Sequence, residues 1–245
     1  MDAATSELTE GHLLAGKVRY AQPRHGFRSS LEPVLLAAAI PAQRDQRVLE
    51  GGSGAGAMLL CLTARVGKIR GLGVEKDARL VEIARRNAAI NDWPHLDFRA
   101  ADLTAVVQCG LFDHACANPP YHIASGTPSP MSSRRTAKEA EAGTLASWSA
   151  ALARSLRPRG TLTFIVPPAA FPAAMAAFVS AGCAPTAALP FWPKEGGPAK
   201  LLLLRGVKGS RTPFRLCAGK VLHTAGGGFT SEAHQILREG AALEL

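Results

Sequence analysis

The feature that most constrains the fold is a short strand that leads directly into a glycine-rich turn and then into a helix. Residues 47–50 are the strand, residues 51–56 are the turn with its four glycines, and residues 57–66 have the composition of a helix. Glycine lets the backbone turn tightly and lets a ligand approach the main chain closely. Because this order is the context of loops that bind nucleotide-type ligands, it predicts an α/β fold with a ligand at the turn.

Strands and helices alternate along most of the remaining chain. We predict strands at residues 17–20, 69–74, 96–100, 111–117 and 161–166, an antiparallel pair at 185–191 and 200–205, and an extended segment at 215–222. We predict the other helices at residues 34–40, 78–90, 144–156, 168–181 and 231–238, and a polar loop at 123–138. This alternation predicts a Rossmann-like, doubly wound α/β fold with a mostly parallel, seven-stranded sheet and an antiparallel last strand.

Three polar residues mark the starts of helices. Ser30, Asp77 and Ser231 are expected to cap the helices that follow them.

The sequence predicts one folded domain. Residues 1–16 are expected to be disordered, and residues 17–245 to form a single domain with a short N-terminal extension. The sequence has no apolar run of the roughly 20 residues that span a membrane. Its start does not resemble a signal peptide.

The positive charge of the chain is concentrated in its second half. The net charge is +9, and residues 120–245 carry 14 Lys and Arg against 6 Asp and Glu, a balance of +8. Such asymmetry is typical of a protein that binds a polyanion, although a generally basic enzyme would show it too. The five cysteines are scattered without a Cys-x-x-Cys pair, so neither a disulfide framework nor a zinc site is indicated, and no metal site is predicted. A reducing cytoplasm is the expected compartment.

A second apolar strand ends abruptly in Asn118-Pro119-Pro120-Tyr121. A proline pair cannot continue a central strand, so Asn118 is predicted at the carboxyl edge of the sheet, where α/β proteins bind ligands. The Asn118 side chain offers an acceptor and two donors, the proline carbonyls face no competing local donor, and Tyr121 offers a flat ring. This set suits a planar substrate that carries an amine, although Asn-Pro is also a common turn signal.

Two acidic residues follow the intervening strands. Glu75 ends the predicted strand that begins at residue 69. It lies 19 residues after Gly56, which is the spacing at which an acid accepts hydrogen bonds from ribose hydroxyls. Asp102 follows the predicted strand at residues 96–100. Taken singly, Glu75 could be a surface acid and Asp102 a helix cap.

The ordered series of Glu50, the glycines, Glu75, Asp102 and Asn118-Pro119-Pro120-Tyr121 resembles the motif series of class I S-adenosylmethionine-dependent methyltransferases. The last motif is similar to that of enzymes that methylate amine nitrogens. The layout most resembles bacterial transfer-RNA adenine-N6 methyltransferases, through the helix at residues 32–36 and the segment at residues 229–233. The resemblance implies methylation of an adenine N6 in a transfer-RNA anticodon loop. We expect the protein to be a monomer that binds this RNA and no membrane.

The resemblance also implies roles for individual residues. In the cofactor site, Gly52, Gly54 and Gly56 would line the methionine and ribose portions, Glu50 would lie near the methionine amino group, Glu75 would bind the ribose hydroxyls, and Asp102 and Asn118 would complete the site. Asn118, Pro119, Pro120 and Tyr121 would form the catalytic motif, which grips the substrate amine and stacks on its ring. Arg134, Arg135 and Lys138, which follow closely, are the expected RNA contacts.

The chain departs from the family pattern in three places, and other functions stay open. Near Arg28, Leu31-Glu32 stands where the family often has Thr-Asp. Glu50 stands where Asp is usual, and Gly51 replaces an aliphatic residue, which is expected to loosen the end of the strand. One alternative is a protein glutamine methyltransferase, although those enzymes carry a helical domain before the glycine turn, where this chain has only 50 residues. The others are a guanine-N2 methyltransferase of ribosomal RNA and a cofactor-binding RNA chaperone without enzymatic activity.

Overall fold

The computed structural model of the protein describes residues 8–25, 30–105, 112–120 and 131–245, with the backbone alone for residues 131–141. The strands are β1 (Leu8–Leu13), β2 (Val18–Pro23), β3 (Arg47–Gly51), β4 (Arg70–Glu75), β5 (Leu96–Ala100), β6 (Phe112–Ala117), β7 (Leu156–Val166), β8 (Cys183–Trp192), β9 (Leu201–Lys208), β10 (Arg215–Leu216) and β11 (Lys220–Val221). The helices are α1 (Glu32–Ala39), α2 (Ala57–Val66), α3 (Ala78–Ile90), α4 (Met131–Ser155), α5 (Phe171–Ser180) and α6 (Ser231–His234).

Nine of the described strands form one sheet in the order β10-β8-β9-β7-β6-β3-β4-β5, and β11 also pairs with β8. β3 to β7 pair in parallel, whereas β9 is antiparallel to both β7 and β8. The predicted doubly wound, mostly parallel sheet with a late antiparallel strand is therefore confirmed. The two strands beyond the predicted seven are the two-residue strands β10 and β11, which are parallel to β8 and fall in the segment predicted to be extended.

Helices cover both faces of this sheet because its central strands alternate buried side chains between the faces. Val48 on β3 and Cys116 on β6 belong to the apolar cluster beneath α1, α2 and α3. Leu49 and Ala115, one residue away on the same strands, belong to the cluster that contains side chains of α4 and α5. This period of two is the pattern of strands that are buried on both faces. Among the described residues, no helix combines the length and apolar character needed to cross a membrane.

The N-terminal region differs from the prediction. Residues 8–16 were expected to be disordered, but β1 forms an antiparallel hairpin with β2. A 3₁₀ turn at Leu14–Gly16 connects the two strands. The physical reason is long-range packing, because Leu14 is buried in the main apolar cluster and the hairpin contacts α3. Residues 1–7 lie outside the described part of the chain.

Of the three predicted helix caps, one is confirmed and two are wrong. Asp77 caps α3 as predicted, since its carboxylate accepts from the Arg79 N–H at 2.8 Å. Ser231 is the first residue of α6 instead of its cap, because the preceding Thr230 hydroxyl accepts from the Ala233 N–H at 3.1 Å. Ser30 does not cap α1 either, since its hydroxyl donates to the Glu32 carboxylate. α4 begins at Met131, within the predicted polar loop.

The carboxyl end of α1 is held by distant parts of the chain. The Arg65 guanidinium donates to the Ala37 carbonyl at 3.1 Å and to the Ile40 carbonyl, and Arg205 donates to the Ala39 carbonyl. The Leu243 N–H donates to the Ala38 carbonyl at 2.8 Å. Helix ends leave their last carbonyls without partners inside the helix, so these contacts fix the helix in place.

Gly56 provides a test of packing at the start of α2. It has φ +87°, and a Cβ there would lie 2.9 Å from Phe98 Cζ, whereas Gly182 has φ +74° and no described heavy atom within 4 Å of the same position. We expect Gly182→Ala to cost about 1–2 kcal/mol from backbone strain alone. Gly56→Ala should cost about 1–3 kcal/mol more, because the methyl group also overpacks the core. Urea unfolding of both variants measures the difference, and equal losses would contradict the packing argument.

Candidate active site

A cleft opens at the carboxyl edge of the central strands. Its position follows from the sheet register, in which Gly51 at the end of β3 pairs with both Val74 of β4 and Ala117 of β6. The segments that follow the three strands therefore emerge side by side, where α/β sheets bind ligands. The cleft is lined by Tyr20, Gln22, Pro23, Pro33, Leu36, Glu50, Gly52, Ser53, Gly54, Ala55, Ala57, Met58, Leu80 and Asn118.

Three of the four glycines of the turn, Gly52, Gly54 and Gly56, have left-handed backbones but different surroundings. Gly52 and Gly54 line the cleft, with φ +67° and +53°. A Cβ on Gly52 would lie 2.7 Å from Trp148 Cη2, whereas no described heavy atom lies within 4 Å of that position on Gly54. Gly56 is not among the lining residues and instead packs against Phe98. The turn thus leaves a ligand closest access to the backbone at Gly54.

Glu50 places a buried carboxyl group at the base of the cleft. Its side chain is only 4% exposed, and Oε2 has no hydrogen-bond partner among the described residues. Burial raises the pKa of Glu50 well above its usual value, and the nearby Glu75 carboxylate raises it further, while a hydrogen bond from the Leu59 N–H opposes the change. The Ser53 hydroxyl, also buried, likewise has no partner among the described residues. Because Glu50 lines the cleft, its unsatisfied oxygen indicates a ligand that supplies a donor.

Glu75 braces the glycine turn from the end of β4. Its Oε2 accepts from the Gly54 N–H at 3.0 Å, and its Oε1 accepts from the Asp77 N–H at 3.0 Å. Each carboxylate oxygen has further acceptor capacity, so these bonds orient the group without saturating it. The half-buried Glu75 lies beside the cleft instead of lining it.

Asp102 is exposed and caps a local turn. Its Oδ1 accepts from the Thr104 hydroxyl at 2.6 Å and from the Thr104 N–H at 2.8 Å. These bonds hold the pKa of Asp102 below its usual value, with the hydroxyl contributing most. Asp102 shares the carboxyl edge, since β5 pairs Ala100 with Glu75, but it does not line the cleft. A cofactor role for Asp102 stays a prediction.

Leu103 accounts for the unusual glycine at the end of β3. A Cβ on Gly51 would lie 2.5 Å from Leu103 Cδ2, so the leucine occupies the space that an aliphatic side chain would take. Gly51 is itself buried and fully paired with both neighbouring strands. The expected loosening of the strand end is therefore not found, because packing is supplied from the neighbouring loop.

Residues Asn118-Pro119-Pro120-Tyr121 form the predicted substrate motif, which reaches the cleft through Asn118. Asn118 is half-buried and lines the cleft together with Glu50, Pro119 is buried, and Pro120 is exposed. Tyr121 lies outside the described residues. The backbone of Arg134, Arg135 and Lys138 belongs to α4, and their side chains lie outside the described part.

Sequence reasoning missed one wall of the cleft. Tyr20, Gln22 and Pro23 from β2 line it, together with Pro33 and Leu36 from α1. The predicted strand at 17–20 carried no local signal for this role, because the role arises from docking of the hairpin. No group of three or more His, Cys, Asp or Glu side chains suited to a metal ion occurs in the described ranges.

Comparisons with known proteins point to methyltransferases. Residues 33–143 match a family model described as methyltransferase small domain. A tRNA1(Val) (adenine(37)-N6)-methyltransferase of Shewanella halifaxensis is 30% identical over 149 residues, which cover 59% of each chain, so the match spans about three fifths of that relative's length. A release factor glutamine methyltransferase of Xylella fastidiosa is 31% identical over 77 residues, which cover 31% of this chain and 28% of that protein.

A solved structure shares the fold over most of the chain. It is described as a predicted O-methyltransferase from Agrobacterium tumefaciens, and it superimposes with a TM-score of 0.71 at 22% identity. The match covers 87% of this chain and 99% of that chain. The likeness in fold therefore extends beyond residues 33–143.

The buried Glu50 makes folding stability depend on pH. A carboxyl group whose pKa is raised in the folded protein favours folding below its unfolded pKa, and this stability is lost as the pH rises through the folded pKa. Glu50→Gln removes the titrating group. Between pH 4.5 and pH 8 the free energy of unfolding of the variant should therefore rise relative to that of the native protein, by about 1.4 kcal/mol for each unit by which folding raises the pKa. Urea unfolding at pH 4.5 and at pH 8 measures the gain. The exposed Glu195→Gln is the control, and a pH-independent difference for Glu50→Gln would contradict the prediction.

Proposed function

We propose that the protein is an S-adenosylmethionine-dependent N-methyltransferase that acts on an exocyclic amine, because residues 33–143 match the family model described as methyltransferase small domain. The observation that carries the proposal is the composition of one cleft. It brings together Glu50 and the open backbone at Gly54, which belong to β3 and its turn, with the substrate-motif residue Asn118, which follows β6. These are the residues that a cofactor and an amine substrate would both need.

The described side chains fit the cofactor. S-adenosylmethionine carries an ammonium group, and the unpaired Oε2 of Glu50 is a buried acceptor for it. Gly54 would allow the methionine and ribose portions to approach the main chain, and the spare acceptor capacity of Glu75 suits ribose hydroxyls. Asp102 would accept from the cofactor adenine. The Oε2 atom of Glu50 would thus have a partner in the proposed complex.

The chemistry assigns a positioning role to the substrate motif. The bound cofactor would supply a methyl group already activated by a sulfonium sulfur, so the protein mainly orients the acceptor nitrogen. The lone pair of an exocyclic amine is delocalised into the ring. Acceptors at the Asn118 side chain and the Pro119 carbonyl would draw the nitrogen toward tetrahedral geometry and stabilise its developing charge. Tyr121 would stack on the base.

The substrate we propose is adenine N6 in the anticodon loop of a transfer RNA. Its support is the name of the Shewanella halifaxensis relative together with the net charge of +8 in residues 120–245. An unpaired loop adenine can be turned out and stacked on an aromatic ring at modest cost. Arg134, Arg135 and Lys138 follow the substrate motif at the start of α4 and would contact phosphates.

A second candidate is methylation of a glutamine side chain in a release factor. It is favoured by the local 77-residue match to a release factor glutamine methyltransferase. A glutamine amide is also a planar amine-bearing group, so Asn118 and Pro119 would grip it in the same way. The surplus of positive charge after residue 119 favours RNA, since phosphate contacts dominate RNA affinity.

Glu75 tests the cofactor assignment. Glu75→Gln keeps the shape of the side chain but removes the charge from its hydrogen bonds, which are worth about 1.5–3 kcal/mol when charged. S-adenosylhomocysteine should therefore bind about 10- to 100-fold more weakly. Isothermal calorimetry measures the change, with Glu82→Gln on the exposed face of α3 as the control. Unchanged affinity in Glu75→Gln would remove Glu75 from the site.

Asn118 tests the reaction itself. The native protein incubated with labelled S-adenosylmethionine and bulk transfer RNA should produce N6-methyladenosine on nucleoside analysis. Asn118→Ala should lower the rate about 100- to 1,000-fold, as loss of a group that stabilises transition-state charge does. Its affinity for S-adenosylhomocysteine should stay within about threefold of the native value, because the lost contact is to the substrate amine.

The same assay separates the candidates. Labelled glutamine in a purified release factor, with transfer RNA inert, would establish the second candidate in place of the first. Labelled N2-methylguanosine in RNA would instead move the target base from adenine to guanine. Near-native turnover by Asn118→Ala would contradict the role of Asn118 whichever substrate is methylated.

A further inference from the structure

Asn87 of α3 and Asn91, the residue that follows the end of this helix, pair with the backbone of β2. The Asn87 Oδ1 accepts from the Ala21 N–H at 2.8 Å, and its Nδ2 donates to the Ala21 carbonyl at 2.8 Å. One helical turn later, the Asn91 Oδ1 accepts from the Arg19 N–H at 2.9 Å, and its Nδ2 donates to the Arg19 carbonyl at 2.7 Å. Each amide thus closes a ring of two hydrogen bonds with one residue of the strand.

The match is geometric. Residues four apart on a helix are separated by about 6 Å along its axis. Residues two apart on a strand are separated by about 6.6 Å and present their backbone groups to the same side. Two side-chain amides on one helix face can therefore replace the neighbouring strand that β2 lacks on this edge, since β1 pairs with its other edge.

The third hydrogen bond of each side chain differs, because Asn91 Nδ2 donates to the Asn87 carbonyl at 2.7 Å whereas Asn87 reaches the glycine turn. Its Nδ2 also donates to the carbonyl of Ala55 at 3.0 Å, and Ala55 lies between Gly54 and Gly56 in the turn. Asn87 is fully buried, so its oxygen and both N–H groups are used inside the protein. A single side chain therefore joins the β2 wall of the cleft to the glycine turn that faces it.

An amide is the group this position requires. An apolar side chain of similar size would leave the N–H and carbonyl of Ala21 and the carbonyl of Ala55 without partners in a buried site, where unpaired backbone groups are costly. A carboxylate would keep the acceptor but would place a negative charge against two carbonyls. Neither change alters a residue that lines the cleft.

We propose that Asn87 is a positioning residue for the cofactor, which fixes the β2 wall and the glycine turn at one separation so that the cleft is formed before the ligand arrives. The inference rests on the proposed cofactor. Without Asn87, binding must itself order the wall and the turn, and that cost lowers affinity even though no contact to the ligand is lost.

The test compares two variants of the full chain by calorimetry with S-adenosylhomocysteine, well below their melting temperatures. Asn87→Ala should raise the Kd about tenfold or more, because it uncouples wall and turn. Asn91→Ala releases the outer end of β2 but leaves Ala55 held, so its Kd should change less than about threefold. Arg86→Ala removes the ion pair of α3 with Glu10 on β1 and serves as the matched control.

A purely structural role predicts a different result. It would lower the melting temperature of Asn87→Ala and leave the Kd of the folded variant unchanged, which would overturn the inference. Equal weakening in Asn87→Ala and Asn91→Ala would also overturn it, since docking of the hairpin alone would then account for the effect. A native protein that does not bind S-adenosylhomocysteine would instead overturn the proposed cofactor, and this inference with it.

Hydrogen exchange of the native protein gives a measurement that does not depend on a variant folding. The Ala21 amide, which donates to Asn87, and the Gly54 and Gly56 amides in the turn should become protected together when S-adenosylhomocysteine is added. Protection of the turn amides with unchanged exchange at Ala21 would show that the wall and the turn are not coupled. Asn87→Asp, which keeps the acceptor and loses both donors, should weaken binding as Asn87→Ala does.

Discussion

The cleft depends on the parallel pairing of β3 with β4 on one side and β6 on the other. Because Gly51 is opposite both Val74 and Ala117, the glycine turn emerges between the segments that begin at Glu75 and Asn118. A shift of one residue in either pairing would also turn the alternating side chains of these strands to the opposite helical layer. The two apolar layers therefore enforce the register, and the register places the polar groups.

The polar groups in the cleft oppose the stability that the core provides. Among the described residues the buried Glu50 Oε2 has no hydrogen-bond partner, and burial raises the pKa of this group because it disfavours the charged form. Such a group is expected where binding, and not folding, determines the residue. Leu103, which fills the space beside Gly51, shows the opposite case, in which a neighbouring side chain restores the packing that a small residue omits.

Local patterns in the sequence predicted the elements whose signals are local. The strand and turn at residues 47–56 and helix α3 with its cap at Asp77 were predicted closely, because their periodicity and capping chemistry lie within a few residues. The hairpin of β1 and β2 was not predicted, since its partners on α3 are about 70 residues away in the chain. The sequence contains one local sign of the role of Asn87, which is a polar residue in the buried stripe of Val81, Ala84 and Ala88. For Asp102, the sequence could not separate a cofactor contact from the turn with Thr104 that the structure contains.

The carbonyls at the end of α1 link the cleft to the order in which the chain is synthesised. Pro33 and Leu36 of this early helix line the cleft, but its last carbonyls are paired by Arg205 and by the backbone of Leu243. Domains begin to fold while translation continues, at a rate of about 5–20 residues per second. A nascent chain that already carries the whole glycine turn must therefore wait roughly ten seconds or more, until some 190 further residues have been added, before this wall reaches its final bonding. During that interval α1 lacks its contacts with residues 235–239, which pack against it in the folded protein.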